Sequence, residues 1–340
     1  MAKQTNQPQE KFKTMIGGQA LIEGIMMRGP EKQAIVCRSK GEMVSKVENL
    51  TKRTGILTWP FIRGIVNFGG SMVGGVKALM YSAEVSADEE DSGDASAEQP
   101  SKFEQWLEKK LGSEKFMSVV IGFAAFLGIA FSVLLFFLLP ILLGNLFQRL
   151  TNCNVLIQHI FEGIIRIVIF ILYMFLVSRM KEMKRVFSYH GAEHKTIRCY
   201  EAKLPLTVEN VRGMTRMHPR CGTSFLFVVM IISILLFTVT SYLLNLWIPG
   251  LAALQTANKF LYNLIMVGVK IIILLPIVVS ISYEFNRLVG RHDNWFTRLL
   301  TKPGMAMQHF TTNEPDDSMI ECAIESLKLV LPSEEGQDKW

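Results

Sequence analysis

Four long apolar stretches frame the chain. Residues 119–143 and 225–248 carry no charged side chain, 260–283 carries only Lys270, and 161–178 carries Glu162 and Arg166. A helix needs about 20 residues to cross a bilayer, and apolar runs this long are unusual in a soluble core. The pattern predicts an α-helical polytopic membrane protein with about four transmembrane helices.

Between and around these runs the periodicity changes. Residues 15–50 read as a small β element, with Arg28-Gly29-Pro30 as a turn. The segments 34–38 and 43–47 flank Ser39-Lys40-Gly41-Glu42, which reads as a hairpin. From 61 to 80, Phe61, Ile65, Phe68, Met72, Val76 and Leu79 recur at helical spacing. Five glycines, at 64, 69, 70, 74 and 75, thin that helix. It reads as an amphipathic interfacial or re-entrant helix, with a fifth span as the alternative. Residues 82–101 are small and acidic, a composition that cannot bury a core and predicts a disordered linker. Near the end, Asp316-Asp317 can start a helix whose Ile320, Ala323, Ile324, Leu327 and Leu331 share one face.

The expected organisation follows. Residues 1–55 form an N-terminal cytosolic β element, 56–81 the amphipathic helix and 82–101 the linker. The first two spans occupy 102–178, a histidine-rich cytosolic loop 179–220, and the other two spans 221–284. Residues 285–340 form a cytosolic C-terminal segment that ends in an amphipathic helix.

Composition agrees with this frame. The 340 residues are 49% hydrophobic and only 19% charged, and mean hydropathy is +0.27. The net charge of +6 matters for where it lies. Ten lysines and arginines fall in 179–220. Lys109, Lys110 and Lys115 precede the first span, and Arg287, Arg291, Arg298 and Lys302 follow the fourth. The other two loops hold little beyond Arg149 and Lys259. Basic loops stay in the cytosol, and all three basic regions share one side only if all four stretches cross. Both termini are therefore expected in the cytoplasm. The basic loop needs no nucleic-acid partner to explain it; the expected partner is the lipid bilayer, with other membrane proteins or a second copy as further candidates. The polar start of the chain shows no apolar signal core, so the first span serves as the insertion signal. Five cysteines without a paired framework fit a reducing compartment.

One constellation points to chemistry. In His190-Gly191-Ala192-Glu193-His194 the two histidines stand four apart, on one face of a helix, with Glu193 on the same side. Such a pair can hold Zn²⁺, and the order His-x-x-Glu-His is one used by metalloproteases. A second cluster, His218-Pro219-Arg220-Cys221, offers His218 and Cys221 as further ligands if the loop folds back. Closure by four side chains implies a structural metal, whereas three leave a catalytic position open. Ordinary interfacial histidines remain the alternative. Glu162, Arg166 and Lys270 are expected to pair or line a cavity within the bilayer. Glu284 is either a third ligand or an interfacial carboxylate.

Five blocks resemble the YqhQ-like family of uncharacterised bacterial multi-pass membrane proteins. They are residues 17–30, beginning Gly17-Gly18-Gln19-Ala20; Tyr189-His190-Gly191-Ala192-Glu193-His194-Lys195; His218-Pro219-Arg220-Cys221-Gly222-Thr223-Ser224-Phe225; Pro303-Gly304-Met305-Ala306-Met307-Gln308; and Thr311-Thr312-Asn313-Glu314-Pro315-Asp316-Asp317. The resemblance implies a bacterial plasma-membrane protein and a metal-dependent enzyme of unsettled reaction. The glycines of the first block suggest close backbone packing against the metal loop, with Glu23 and Arg28 as site residues or a structural ion pair.

The leading expectation is a membrane-embedded, cytosol-facing, zinc-dependent hydrolase. His190, His194, His218 and Cys221 are the metal ligands, Glu193 the general base, and Arg198 and Arg220 the grip on an anionic substrate. A non-catalytic scaffold or accessory factor with a structural metal knuckle is the alternative from another class. A transporter built on Glu162, Arg166 and Lys270 is the third.

Overall fold

A computed structural model describes residues 12–51, 53–90, 113–292, 294–334 and 336–339. It divides into two units. The first comprises residues 1–92, 174–232 and 276–340, and the second 93–173 and 233–275.

The first unit contains a four-stranded antiparallel meander in the order β1 (Gly17–Leu21), β2 (Gly24–Arg28), β3 (Lys32–Ser39), β4 (Glu42–Asn49). Ser39 pairs with Glu42 across a two-residue loop. Its Lys40 and Gly41 both have positive φ, 52° and 82°, as a tight hairpin turn demands. Two uninterrupted apolar runs, Ile25-Met26-Met27 and Ala34-Ile35-Val36-Cys37, make the central strands β2 and β3 buried on both faces, while β4 is exposed. Ile25, Met27, Ala34 and Val36 join one core, and Met26, Ile35 and Cys37 join another.

Helix α1 (Ile62–Glu90) covers the second face, with Ala78 in that core. It continues through 82–90, the first part of the acidic stretch expected to be a linker. The remainder, 91–101, lies outside the described residues. The stripe from Phe61 to Leu79 faces away from the sheet: Phe61, Ile65, Phe68, Met72, Val76 and Leu79 are all exposed.

The helices between residues 113 and 291 follow. In chain order they are α2 (Ser113–Val133) continuing into α3 (Leu139–Thr151), then α4 (Val155–Val177). After α5 (Lys181–Glu201) and the short α6 (Val208–Arg212) come α7 (Gly222–Trp247), α8 (Pro249–Ala257), α9 (Lys259–Gly268) and α10 (Leu275–Arg291). Four helical stretches among the described residues are long and apolar enough to cross a membrane: Gly122–Thr151, Val155–Val177, Phe225–Trp247 and Lys259–Arg291. Helix α1 is not among them. The weakest expected span thus stands with the other three.

Inside the second unit the polar groups of the spans are buried. Two π-helical turns, Leu134–Leu138 and Val269–Leu274, interrupt their helices. Arg166 donates from Nε to the Phe136 carbonyl within the first, 3.0 Å away. Lys270 belongs to the second and lies 5.9 Å from the Phe237 ring centre, as Arg166 does at 5.8 Å. Glu162 accepts from Gln158 at 3.0 Å and faces His159 at 3.3 Å.

Helices α11 (Trp295–Thr311) and α12 (Asp317–Val330) complete the first unit. Asp316 caps α12 by accepting from the Met319 amide at 2.9 Å. Ile320, Ala323, Ile324 and Leu327 then pack into the core shared with Ile25, Val36, Tyr189 and Ile197. Helix α5 is gripped by the sheet on one side and α12 on the other, so its middle is buried although its composition is polar. That burial makes the site.

Candidate metal centre

Residues 187–197 of α5 are buried almost without interruption. Gly191 is the point of closest approach: the Asn313 backbone passes so near that a Cβ at 191 would collide with its carbonyl oxygen. Asn313 also donates its amide to the Phe187 carbonyl at 2.8 Å. The segment after α11 therefore lies directly along the histidine face.

Both histidines are oriented from behind by backbone. The Nδ1 of His190 is 2.8 Å from the Thr311 carbonyl, and the Nδ1 of His194 is 2.6 Å from the Arg216 carbonyl. A carbonyl only accepts, so each Nδ1 carries the proton and each Nε2 bears a lone pair in the neutral ring. This is how ligating histidines are held in metal sites. The Nε2 of His190 is 3.1 Å from Cys221 Sγ. The Nε2 of His194 is buried without any hydrogen-bond partner. Burial pushes the His194 pKa below its ordinary value, which keeps the ring neutral and free to ligate.

Cys221 immediately precedes α7. Burial pushes its thiol up, but the neighbouring His194 and hydrogen bonds from Thr223 outweigh that and hold the pKa below the ordinary value. The Thr223 amide is 3.4 Å from Sγ and its hydroxyl 3.3 Å. A thiol at a helix N-terminus is favoured as thiolate, the form that binds metals. Ligand atoms of His190, His194 and Cys221 all lie within 4.8 Å of one another. Zinc bonds of about 2.0–2.3 Å put neighbouring ligands roughly 3.5 Å apart, so small shifts would close a shell. The donor set, the tethered tautomers and the orphaned nitrogen all fit a transition-metal cation.

Glu193 lies beside this cluster. Its Oε1 accepts from the Gly18 amide at 3.0 Å, while Oε2 is buried without a partner. Burial raises its pKa to about 7, against a lowering by His190 and the Gly18 bond and a further rise from Cys221. The glycine-rich first strand does pack against the histidine helix, as its sequence suggests.

His218 is close but turned elsewhere. Its ring centre is 5.4 Å from that of His194, and its Nε2 faces Glu201 at 3.7 Å and Arg220 at 3.4 Å. It is not one of the three converging groups. Gln308 of α11, fully buried, clamps its backbone: Oε1 accepts from the His218 amide at 2.8 Å, and Nε2 donates to the His218 carbonyl at 2.7 Å. Arg198 donates from Nε to the Met217 carbonyl at 2.6 Å, and Arg220 is ion-paired with Glu201. Pro219 and Arg220 form a turn ahead of α7 rather than its first turn. Glu284, a sequence candidate for a ligand, is paired with Arg63 of α1. Glu23 pairs with Arg185 and accepts from the Tyr189 hydroxyl at 3.3 Å.

Sequence reasoning missed the Thr311 and Arg216 carbonyls, Thr223 and Gln308. Thr223, Gln308 and Thr311 all fall in blocks marked by the family resemblance without any chemistry of their own. Backbone acceptors leave no trace in side-chain identity.

Residues 59–333 match the family described as "Protein of unknown function (DUF1385)". The chain is also 33% identical, over 335 residues, to a protein of Bacillus subtilis (strain 168) described as "Uncharacterized protein YqhQ", covering 94% of this chain and 95% of that one. No solved structure matches. Neither description names an activity, so the expectation of a metal-dependent enzyme rests on the residues of the cluster.

Proposed function

This chain belongs to the YqhQ-like DUF1385 family of bacterial proteins, and on that premise we propose a membrane-embedded, metal-dependent enzyme of hydrolase type. The observation that carries the reading is the orphaned His194 Nε2, held with its Nδ1 tied back beside a thiol at the start of α7. An unpartnered polar atom in a buried place costs about 1–3 kcal/mol, and a cation at this point would relieve that cost. His190, His194 and Cys221 would hold zinc, with His218 one ring behind as the fourth candidate. Bound there, zinc would supply Lewis acidity to a substrate oxygen.

The remaining work falls to the protein. Glu193, with a pKa raised to about 7 by burial, exchanges a proton at Oε2 near neutral pH, the range in which a general acid–base group is most effective. Gly18 fixes its other oxygen. Arg198 and Arg220 draw in an anionic substrate. The basic residues flanking the spans support a site on the cytosolic side of a bacterial plasma membrane with both termini inside, and the exposed apolar stripe of α1 supports its lying along the membrane surface.

A second reading has its own support. His194 and Cys221 are almost fully buried, at 1% and 8% exposure, as in a structural knuckle of a scaffold protein. Metal analysis of detergent-purified protein decides first: about one metal per chain is expected in the wild type, and its loss in His194→Ala and Cys221→Ser. A metal-free wild type ends both readings. Glu193→Gln separates them. An enzyme keeps metal and fold but loses its cellular role, whereas a structural knuckle tolerates the change.

A further inference from the structure

The unit that holds the cluster also contains a cavity of about 1300 Å³. Six cations line it, Lys13, Arg198, Lys203, Arg220, Arg298 and Lys302. They come from the N-terminal segment, the end of α5, the turn after it, the loop before α7, and α11. Among the described lining residues Glu201 is the sole carboxylate, and it is already paired with Arg220. The loop residues Pro219 and Arg220 form part of the wall, so the cavity borders the backbone that delivers Cys221.

Insertion topology asks only that basic residues lie on one side of the membrane. It does not ask that cations from separate segments converge on one hollow. Positive charge gathered from separate segments around one cavity suits a multiply charged anion. A phosphoryl group matches the chemistry: it brings close to two negative charges and three acceptor oxygens, and arginine forks bind it bidentately. A carboxylate brings half the charge. Threonines 215, 297 and 301 add hydroxyl donors to the same walls.

We propose that this cavity binds a phosphate-bearing anion, either the head group of an anionic phospholipid or a soluble phosphate ester. Its identity as the substrate rests on the hydrolase reading above; its binding does not. Arg198 of α5 and Arg220 of the loop before α7 hold the phosphate, together with Arg298 and Lys302 of α11.

The test uses the full-length chain, purified in detergent and stripped of metal with a chelator, so that binding is read independently of the metal centre. Titration calorimetry follows three probes: inorganic pyrophosphate, dihexanoyl phosphatidic acid and succinate. At least one phosphate probe is expected to bind, and to bind more tightly than succinate. Arg298→Gln/Lys302→Gln should weaken it by about tenfold or more, and Arg298→Lys/Lys302→Arg should leave it within about twofold, since charge rather than shape is tested there. Should the neutralised pair fail to fold by circular dichroism, Lys203→Gln carries the same expected loss. Lipid binding alone assigns a head group, pyrophosphate alone a soluble ester, and both together the phosphate itself. The proposal is overturned if neither phosphate probe binds, if succinate binds as tightly, or if neutralisation changes nothing. Metal content of the unstripped protein, measured separately, reports on the metal reading alone.

Discussion

At the scale of single residues, the site depends on an absence. Gly191 interrupts a helix that would otherwise favour a side chain, and its missing Cβ lets the Asn313 backbone lie against α5. That approach brings the Thr311 carbonyl to His190 Nδ1. Gly191→Ala improves intrinsic helix propensity by about 1 kcal/mol, yet it forces atoms together in a packed interior, which typically costs about 1–3 kcal/mol. The clash wins because the obstacle is backbone. We expect Gly191→Ala to melt at lower temperature in detergent and to lose bound metal; an unchanged or raised Tm would show that the Asn313 segment yields. Cys221 illustrates the opposite case, in which the residue is informative and the environment is not. Any cysteine three after a histidine is a ligand candidate, but only the fold brings His194 and then the Thr223 hydrogen bonds to this thiol and holds its pKa below the ordinary value.

At the scale of elements, α11 acts as a brace. Its fully buried Gln308 pairs with both backbone groups of His218, and its last residue accepts from His190. The loop before α7 has no regular structure of its own, so this clamp substitutes for a strand pairing. Gln308→Leu keeps the volume but leaves the buried His218 amide without its partner, at about 1–3 kcal/mol, and leaves the His218 carbonyl only the Cys221 amide at 3.3 Å. The expected outcome is a fall in thermal stability together with weaker metal retention, read by competition with a chelator. Full retention at reduced stability would mean that α5 and Cys221 hold the centre without the clamp. Much at this scale was legible beforehand. The capped, one-sided helix α12 followed from Asp316 and the spacing of Ile320, Ala323, Ile324 and Leu327, since a single buried face leaves a 3.6-residue period. The hairpin of β3 and β4 followed from Lys40-Gly41. Helix α11 did not, because Pro303 lies inside it and proline normally argues for an end. The sheet's second buried face was also hidden: continuous apolar runs in β2 and β3 do not say what covers each side.

For the whole molecule, charge asymmetry and span count make one claim. If the basic loops face the cytosol, Cys153, between α3 and α4, is the partly exposed cysteine on the outer side, while Cys37, Cys199, Cys221 and Cys322 are buried on the other. A membrane-impermeant maleimide applied to intact spheroplasts should therefore label wild-type protein, and Cys153→Ser should abolish the label. Labelling that persists in Cys153→Ser would reverse the orientation. The same scale explains the charged residues within the spans. Lys270 lies in a π-turn of its own helix, and Arg166, on α4, reaches the π-turn of the preceding helix and donates to its Phe136 carbonyl. Buried charge in a bilayer is tolerated where backbone or a ring can answer it.

The sequence by itself specified four stretches able to span a membrane, since an apolar run of span length has one low-energy environment. It also determined which residue types could ligate a cation. Tertiary structure alone decided that His190, His194 and Cys221 converge while His218 turns toward Glu201 and Arg220. That choice is made by backbone carbonyls and amides of Thr311, Arg216, Gly18 and Thr223, groups that every residue possesses and only the fold can place.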